Sequence, residues 1–139
     1  MHLNDMYKRI KIESKIVSLR IVENSIEDIT NEIGIAQEYY GKILVSTLEA
    51  VNNAILHGND SIPDKMVDIV ISFKNNELRI KVSDEGPGFV PAKVPDPTVP
   101  ENIESLNGRG IFLMSKLADE IKYSKKGNAV TMIFKNILT

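Results

Sequence analysis

The stretch EAVNNAILHGN, Glu49 to Asn59, carries two stripes on one helix. Leu44, Leu48, Val51 and Ile55 recur at steps of four, three and four, the apolar spacing of a helix face that packs on a core. Glu49, Asn53 and His57 run down the same helix at i, i+4 and i+8, with Asn52 beside them, and the pattern stops at His57-Gly58-Asn59. Side chains four apart stand about 5–6 Å from each other at their β-carbons. A carboxylate and an amide oxygen placed so suit a hard cation or a polarised water. The other reading of the polar stripe is a solvent face, or Asn53 capping a nearby backbone group.

The rest of the chain frames this helix. Before it, Ile10, Ile12 and Ile16 alternate with Lys11, Glu13 and Lys15, the pattern of a half-buried strand. Leu19, Val22, Ile26, Ile29 and Ile33 then step by three and four, which predicts an amphipathic helix over Val17 to Gly34, with Gly34 just past its end. The helix of the two stripes comes next, from about Ala36 to His57, stopped by Gly58. After it Val67, Ile69, Ile71 and Phe73 alternate, and so do Leu78, Ile80 and Val82. Between these two strands lies Asn75-Asn76, a hairpin turn because asparagine tolerates positive φ.

Five of the six prolines fall between Pro87 and Pro100. Proline removes amide donors and fixes φ, so Gly86 to Asn107 is expected to be an irregular lid or binding loop. Ile111, Leu113, Met114, Leu117 and Ala118 suggest a short helix opening at Gly108-Arg109-Gly110. Glu120 to Ser124 and Ala129 to Lys135 read as a closing strand pair turned at Lys126-Gly127-Asn128. This order predicts an α+β fold, a two-layer sandwich of a mixed, mostly antiparallel sheet with helices on one face.

Composition narrows the function classes. The 139 residues are 42% hydrophobic and 26% charged, which suits one globular domain, residues 1–139. There is no cysteine, hence no disulfide framework or thiolate chemistry, and two histidines do not make an ordinary zinc site. A net charge of -2 argues against nucleic-acid binding. No apolar run is long enough to span a bilayer, and the N-terminus is too polar for a signal peptide, so a cytoplasmic location is expected.

Two further stretches carry polar signals. In DEGPGF, Asp84 to Phe89, a strand-end carboxylate precedes two glycines that would let backbone approach a ligand closely, although an ordinary Gly-Pro turn reads the same. In NGRGIFL, Asn107 to Leu113, Gly108 and Gly110 flank Arg109 at a helix start, where free amides and the helix dipole favour an anion. No Walker A or Rossmann pattern is present.

Taken in order, Glu-x-x-x-Asn-x-x-x-His-Gly on a helix, Asp-x-Gly-x-Gly after a strand and Gly-x-Gly opening a helix resemble the GHKL, or Bergerat-fold, ATPases. The resemblance spans roughly Ile43 to Phe134 and implies ATP and Mg²⁺ as cofactors. It implies Asn53 as the Mg²⁺ ligand, Glu49 as the general base or the group that orients the attacking hydroxyl or water, and Asp84 as the reader of the adenine amino group. Gly86 and Gly88 would make room for base and ribose, and Gly108, Arg109 and Gly110 would meet the phosphates. Asn128 stands where many members have threonine beside the adenine, and His57 is expected to be structural. Leu106 occupies a position where anti-sigma-factor kinases often have arginine, so Arg109 is the only arginine near the phosphates.

No phospho-acceptor helix precedes the boxes and no transducer domain comes after them, so the chain is most similar to the anti-sigma-factor serine kinases. Such proteins transfer the γ-phosphoryl group to a serine or threonine of a STAS-domain anti-anti-sigma protein, hold a sigma factor or other regulator, and often dimerise. The alternative is a non-catalytic module in which ATP gates a protein partner.

Overall fold

The computed structural model of the chain describes residues 5–87 and 117–139. Gly88, Gly108, Arg109 and Gly110, nearly all of the expected lid and most of the short helix after it lie outside the described residues.

The elements obey the hydrophobic periods. Strand β1 is Met6–Glu13, helix α1 Leu19–Ile33 and helix α2 Gln37–Asn53. Strands β2, Met66–Lys74, and β3, Glu77–Ser83, form the expected hairpin. Strands β4, Glu120–Tyr123, and β5, Ala129–Lys135, close the chain. Asn75 and Asn76 turn the hairpin with φ of 54° and 59°, the left-handed pair such a tight turn demands. Gly34 ends α1 at φ 77°, its amide donating to Thr30 O at 3.1 Å.

The sheet order is β1-β2-β3-β5-β4, and each of these four pairings is antiparallel. Period-two alternation puts Ile12, Val67, Ile69, Ile71, Leu78, Ile80, Val82, Met132 and Phe134 into a core shared with Val22, Ile26 and Ile29 of α1 and Ile43 and Val51 of α2. Burial of each large side chain contributes about 1.5–3 kcal/mol, which explains why this alternation fixes the register. The other set of sheet residues, among them Arg9, Lys11, Arg79, Lys81 and Lys122, faces away from this core. The two-layer α+β expectation is borne out, with both described helices on one side of the sheet.

Strand β1 is an edge, held by more than its ladder. Arg9 donates from Nε and Nη2 to the two carboxylate oxygens of Asp68 at 3.0 and 2.8 Å. Those bonds hold the Asp68 carboxyl below the usual carboxylate range.

Two expectations shift. Ile16 is not in the first strand, which ends at Glu13; it begins a 3-10 turn, Ile16–Ser18, and is 53% exposed. The chain leaves the sheet because buried Ser14 turns its hydroxyl to Lys65 O at 2.5 Å and the Lys15 amide closes back on Glu13 O at 2.8 Å. On α2 the buried stripe is rotated from the expected one: Ile43, Ser46, Thr47, Ala50 and Val51 are buried, while Leu44 and Leu48 lie half-buried at its border.

Candidate functional site

Helix α2 does not simply stop at Gly58. After Asn53 it widens into a π turn, Ala54–Gly58, closed by the Asn59 amide on Ala54 O at 2.8 Å. Such turns insert a residue into the helical repeat and re-aim the chain beyond them. Asp60 and Ser61 then take left-handed φ of 50° and 55°, and the Ser61 amide caps Ile55 O at 2.8 Å. The helix ends through these residues. Gly58 serves a different purpose.

That purpose is space. A β-carbon on Gly58 would lie 2.2 Å from Asp84 Oδ2 and 2.3 Å from its Cγ, so the Asp84 carboxylate rests directly on the Gly58 backbone. A β-carbon on Gly86 would meet Gly58 O at 2.1 Å and Asp84 Oδ1 at 2.9 Å. The end of the two-stripe helix and the Asp-x-Gly turn therefore meet face to face, and no side chain larger than hydrogen fits at either glycine without displacement. Two sequence signals far apart in the chain thus form one structure.

Asp84 is held at several points. Its amide donates to Asn128 O at 2.9 Å, its Oδ1 accepts from Gly86 N at 2.8 Å, and its carbonyl accepts from Asn128 Nδ2 at 3.4 Å. Burial raises the Asp84 carboxyl above its ordinary value, with the Gly86 amide acting in the opposite direction. Asn128 is brought there by the β4–β5 turn, where Gly127 takes φ 80° and its amide donates to Ser124 O at 3.0 Å.

Glu49 and Asn53 are both half-buried on α2, and neither side chain has a hydrogen bond or ion pair with another described residue. His57, beyond the start of the π turn, is exposed. Among the described residues no three His, Cys, Asp or Glu side chains gather where they could hold a metal by themselves. A carboxylate and an amide oxygen are hard donors, and with so few protein ligands they fit a cation that completes its shell with phosphate oxygens and water. A cleft of about 500 Å³ lined by Met6, Tyr7, Phe73 and Arg79 opens at the hairpin end of the sheet. It lies about 20 Å, one strand length, from Asp84 and gathers none of these groups.

Sequence reasoning missed Asn59. It is fully buried, accepts from Glu85 N at 2.8 Å, and donates to Ser14 Oγ at 2.9 Å and Met66 O at 3.1 Å. The Glu85 carboxylate in turn accepts from Met66 N. The available signal was a polar residue directly after a glycine at a helix end, which alone reads as a surface turn.

With this arrangement in view, the class is defined: the chain belongs to the histidine kinase-like ATPase domain family, whose model matches residues 12–134. Within that class it is related to the anti-sigma-factor kinases. It is 24% identical over 137 residues to the serine-protein kinase RsbW of Oceanobacillus iheyensis, covering 94% of this chain and 87% of that one. It is 31% identical over 122 residues to an anti-sigma F factor of Shouchella clausii, covering 86% of this chain and 73% of the relative. An anti-sigma F factor of Clostridium perfringens is 29% identical over 136 residues, covering 95% and 86%. The crystal structure of the RsbU and RsbW domains of Rv1364c from Mycobacterium tuberculosis shares the fold at a TM-score of 0.64 and 16% identity, covering 94% of this chain and 32% of that longer one. No helix among the described residues is long and apolar enough to cross a membrane.

Proposed function

We propose that the chain is an ATP-dependent serine/threonine protein kinase of the anti-sigma-factor kind, acting in the cytoplasm on a STAS-domain anti-anti-sigma protein and holding a sigma factor or similar regulator. The observation that carries this reading is the pair of half-buried, unpartnered oxygen donors Glu49 and Asn53 on the helix whose π end seats Gly58 against Asp84. Relatives spanning most of the chain are named as a serine-protein kinase and as anti-sigma factors, which supports it further.

In this reading residues 1–139 form one nucleotide-binding domain with the proline-rich stretch 86–107 as its lid. Asp84 accepts a hydrogen bond from the adenine amino group, beside Gly86, Gly88 and Asn128. Asn53 is the protein ligand of Mg²⁺, which when bound neutralises charge on the phosphates. Gly108, Arg109 and Gly110 meet those phosphates, and a homodimer is the working assembly. Phosphoryl transfer is mostly positioning and charge stabilisation, so Glu49 has one task, to orient the acceptor hydroxyl and take its proton late.

The test is Glu49→Gln with radiolabelled ATP and a candidate STAS partner. ATP binding should persist while transfer falls about 10²–10⁴-fold, the usual worth of a general base. Asn53→Ala should lower both Mg²⁺-ATP affinity and turnover. If the wild type binds ATP but labels no STAS protein, the chain is an ATP-gated binding module. Full transfer by Glu49→Gln removes Glu49 from the mechanism.

A further inference from the structure

We infer that Asn59 is a positioning residue for base recognition: it fixes the peptide that leads out of Asp84, and thereby the direction in which the Asp84 carboxylate faces a purine. The inference rests on the proposed role of Asp84 as the adenine reader.

The geometry is fully specified. Asn59 has no exposed surface, and its amide uses both halves. Nδ2 gives its two hydrogens to Ser14 Oγ and Met66 O, and Oδ1 accepts from Glu85 N. Turning the amide over would set its NH2 group against the Glu85 N–H and its oxygen against the Met66 carbonyl, two repulsive contacts, so only one orientation is compatible. The Glu85 N–H belongs to the same peptide as the Asp84 carbonyl, which accepts from Asn128 Nδ2. Both ends of this peptide plane are thus held, one from the helix end and one from the β4–β5 turn. The Asp84 amide is held by Asn128 O as well. With the backbone fixed on both sides, the carboxylate has only its own two torsions left, and the Gly86 amide and the Gly58 surface restrict those.

A purely structural asparagine would tie down any convenient backbone group. Asn59 ties one of the two peptides that flank Asp84, the other being held by Asn128 O, and it does so from the residue next to the glycine on which Asp84 rests. The acceptor half of the amide therefore acts on the reading of the base. The donor half, toward Ser14 and Met66, acts on stability by joining the ends of β1 and β2. In the proposed reading Asp84 meets the base and not the phosphates, so loss of the acceptor half should change discrimination between bases and leave the binding common to all nucleotides in place.

The experiment measures Mg²⁺-ATP and Mg²⁺-GTP affinities by calorimetry for the full chain and for Asn59→Ala and Asn59→Asp, with melting curves for each. The wild type should prefer ATP. Asn59→Ala should reduce the ATP to GTP affinity ratio roughly ten- to a hundredfold, the scale of a misplaced hydrogen bond to a charged group, with GTP affinity nearly unchanged. Asn59→Asp keeps an acceptor for Glu85 N and should melt lower yet retain the ratio. Equal ATP and GTP affinities in the wild type remove the adenine-reading role of Asp84 and this inference with it. A selective wild type whose Asn59→Ala keeps the ratio, or loses both affinities together, overturns the inference and leaves Asp84 in place. An Asn59→Asp ratio as low as that of Asn59→Ala also overturns it, by placing the effect in the donor half. If neither variant folds, hydrogen exchange on the wild type decides: slowing of the Glu85 amide by ATP and not by GTP supports the inference, and no slowing by ATP overturns it.

Discussion

Replacing Gly58 by alanine sets two effects against each other. Alanine is favoured over glycine in a helix by up to about 1 kcal/mol, so propensity alone predicts a more stable protein. Against this, the new β-carbon would lie 2.2 Å from Asp84 Oδ2 where ordinary contact begins near 3.4 Å, so the carboxylate must retreat by about 1.2 Å. That retreat breaks the 2.8 Å bond from Gly86 N to Asp84 Oδ1. A hydrogen bond to a charged group contributes about 1.5–3 kcal/mol, so the steric effect wins and the variant should lose about 0.5–2 kcal/mol net. Urea denaturation reads this as a lower midpoint at unchanged slope. ATP affinity should fall in parallel by about tenfold or more, because the displaced carboxylate is the proposed base reader. In an Asp84→Ala background those side-chain contacts are absent, and Gly58→Ala should then be neutral to about 1 kcal/mol stabilising; the difference is the coupling energy. A Gly58→Ala protein at least as stable as the wild type, with ATP binding intact, would refute the packing argument.

Gly41 is the control, since a β-carbon there meets nothing within 4 Å on an exposed turn of α2; Gly41→Ala should stabilise by about 0.5–1 kcal/mol in the same denaturation assay. Thr47 is fully buried with no hydrogen-bond partner for its hydroxyl among the described residues, so Thr47→Val should be neutral to about 1 kcal/mol stabilising, a rise of up to about 3–5 °C by calorimetry. Burial raises the Asp84 carboxyl, so the folded chain takes up that proton at higher pH than the unfolded chain does. Its charged form costs stability above that raised value, and the cost is relieved as pH falls from there toward the ordinary carboxylate value. Urea midpoints from about pH 4 to 7 should lose this slope in Asp84→Asn. The ATP to GTP ratio, which cancels the titration of the phosphates, should decline over the same window as the carboxylate protonates.

The elements were legible because burial and period coincide in them. Val67 to Phe73 and Leu78 to Val82 alternate without a break and form β2 and β3, and Asn75-Asn76 between them turns as its chemistry predicts. Ile16 misled because alternation continues in the sequence past the point where Ser14 turns inward, and a hydroxyl aimed at a carbonyl 51 residues away has no periodic signature. The same limit applies at the site. Glu49, Asn53 and Asp84 stand out as polar groups within apolar patterns, and the structure puts the helix end and the Asp84 turn in contact. Gly58 read as a helix stop, since a requirement for space is visible only once the neighbour is in place. Asn59 left no trace, because its meaning lies in three partners contributed by three other segments.

Those three partners also govern when the site exists. The bonds from Asn59 to Ser14 and Glu85 close loops of 45 and 26 residues. Loops of this size carry their entropic cost before any contact returns it, so neither bond belongs to an early, local step of folding. The helix end, the hairpin and the end of the first strand must already be docked before Asn59 makes all three of its bonds. In the proposed reading, a partly folded chain would lack the hold of Asn59 on the base site, and nucleotide should favour the completed molecule. By linkage, a nucleotide at 100 times its dissociation constant would add about 2.7 kcal/mol to the stability of the whole domain. Because Asn59 fastens the proposed base site to the first strand and the hairpin, a bound nucleotide would tighten segments it never touches.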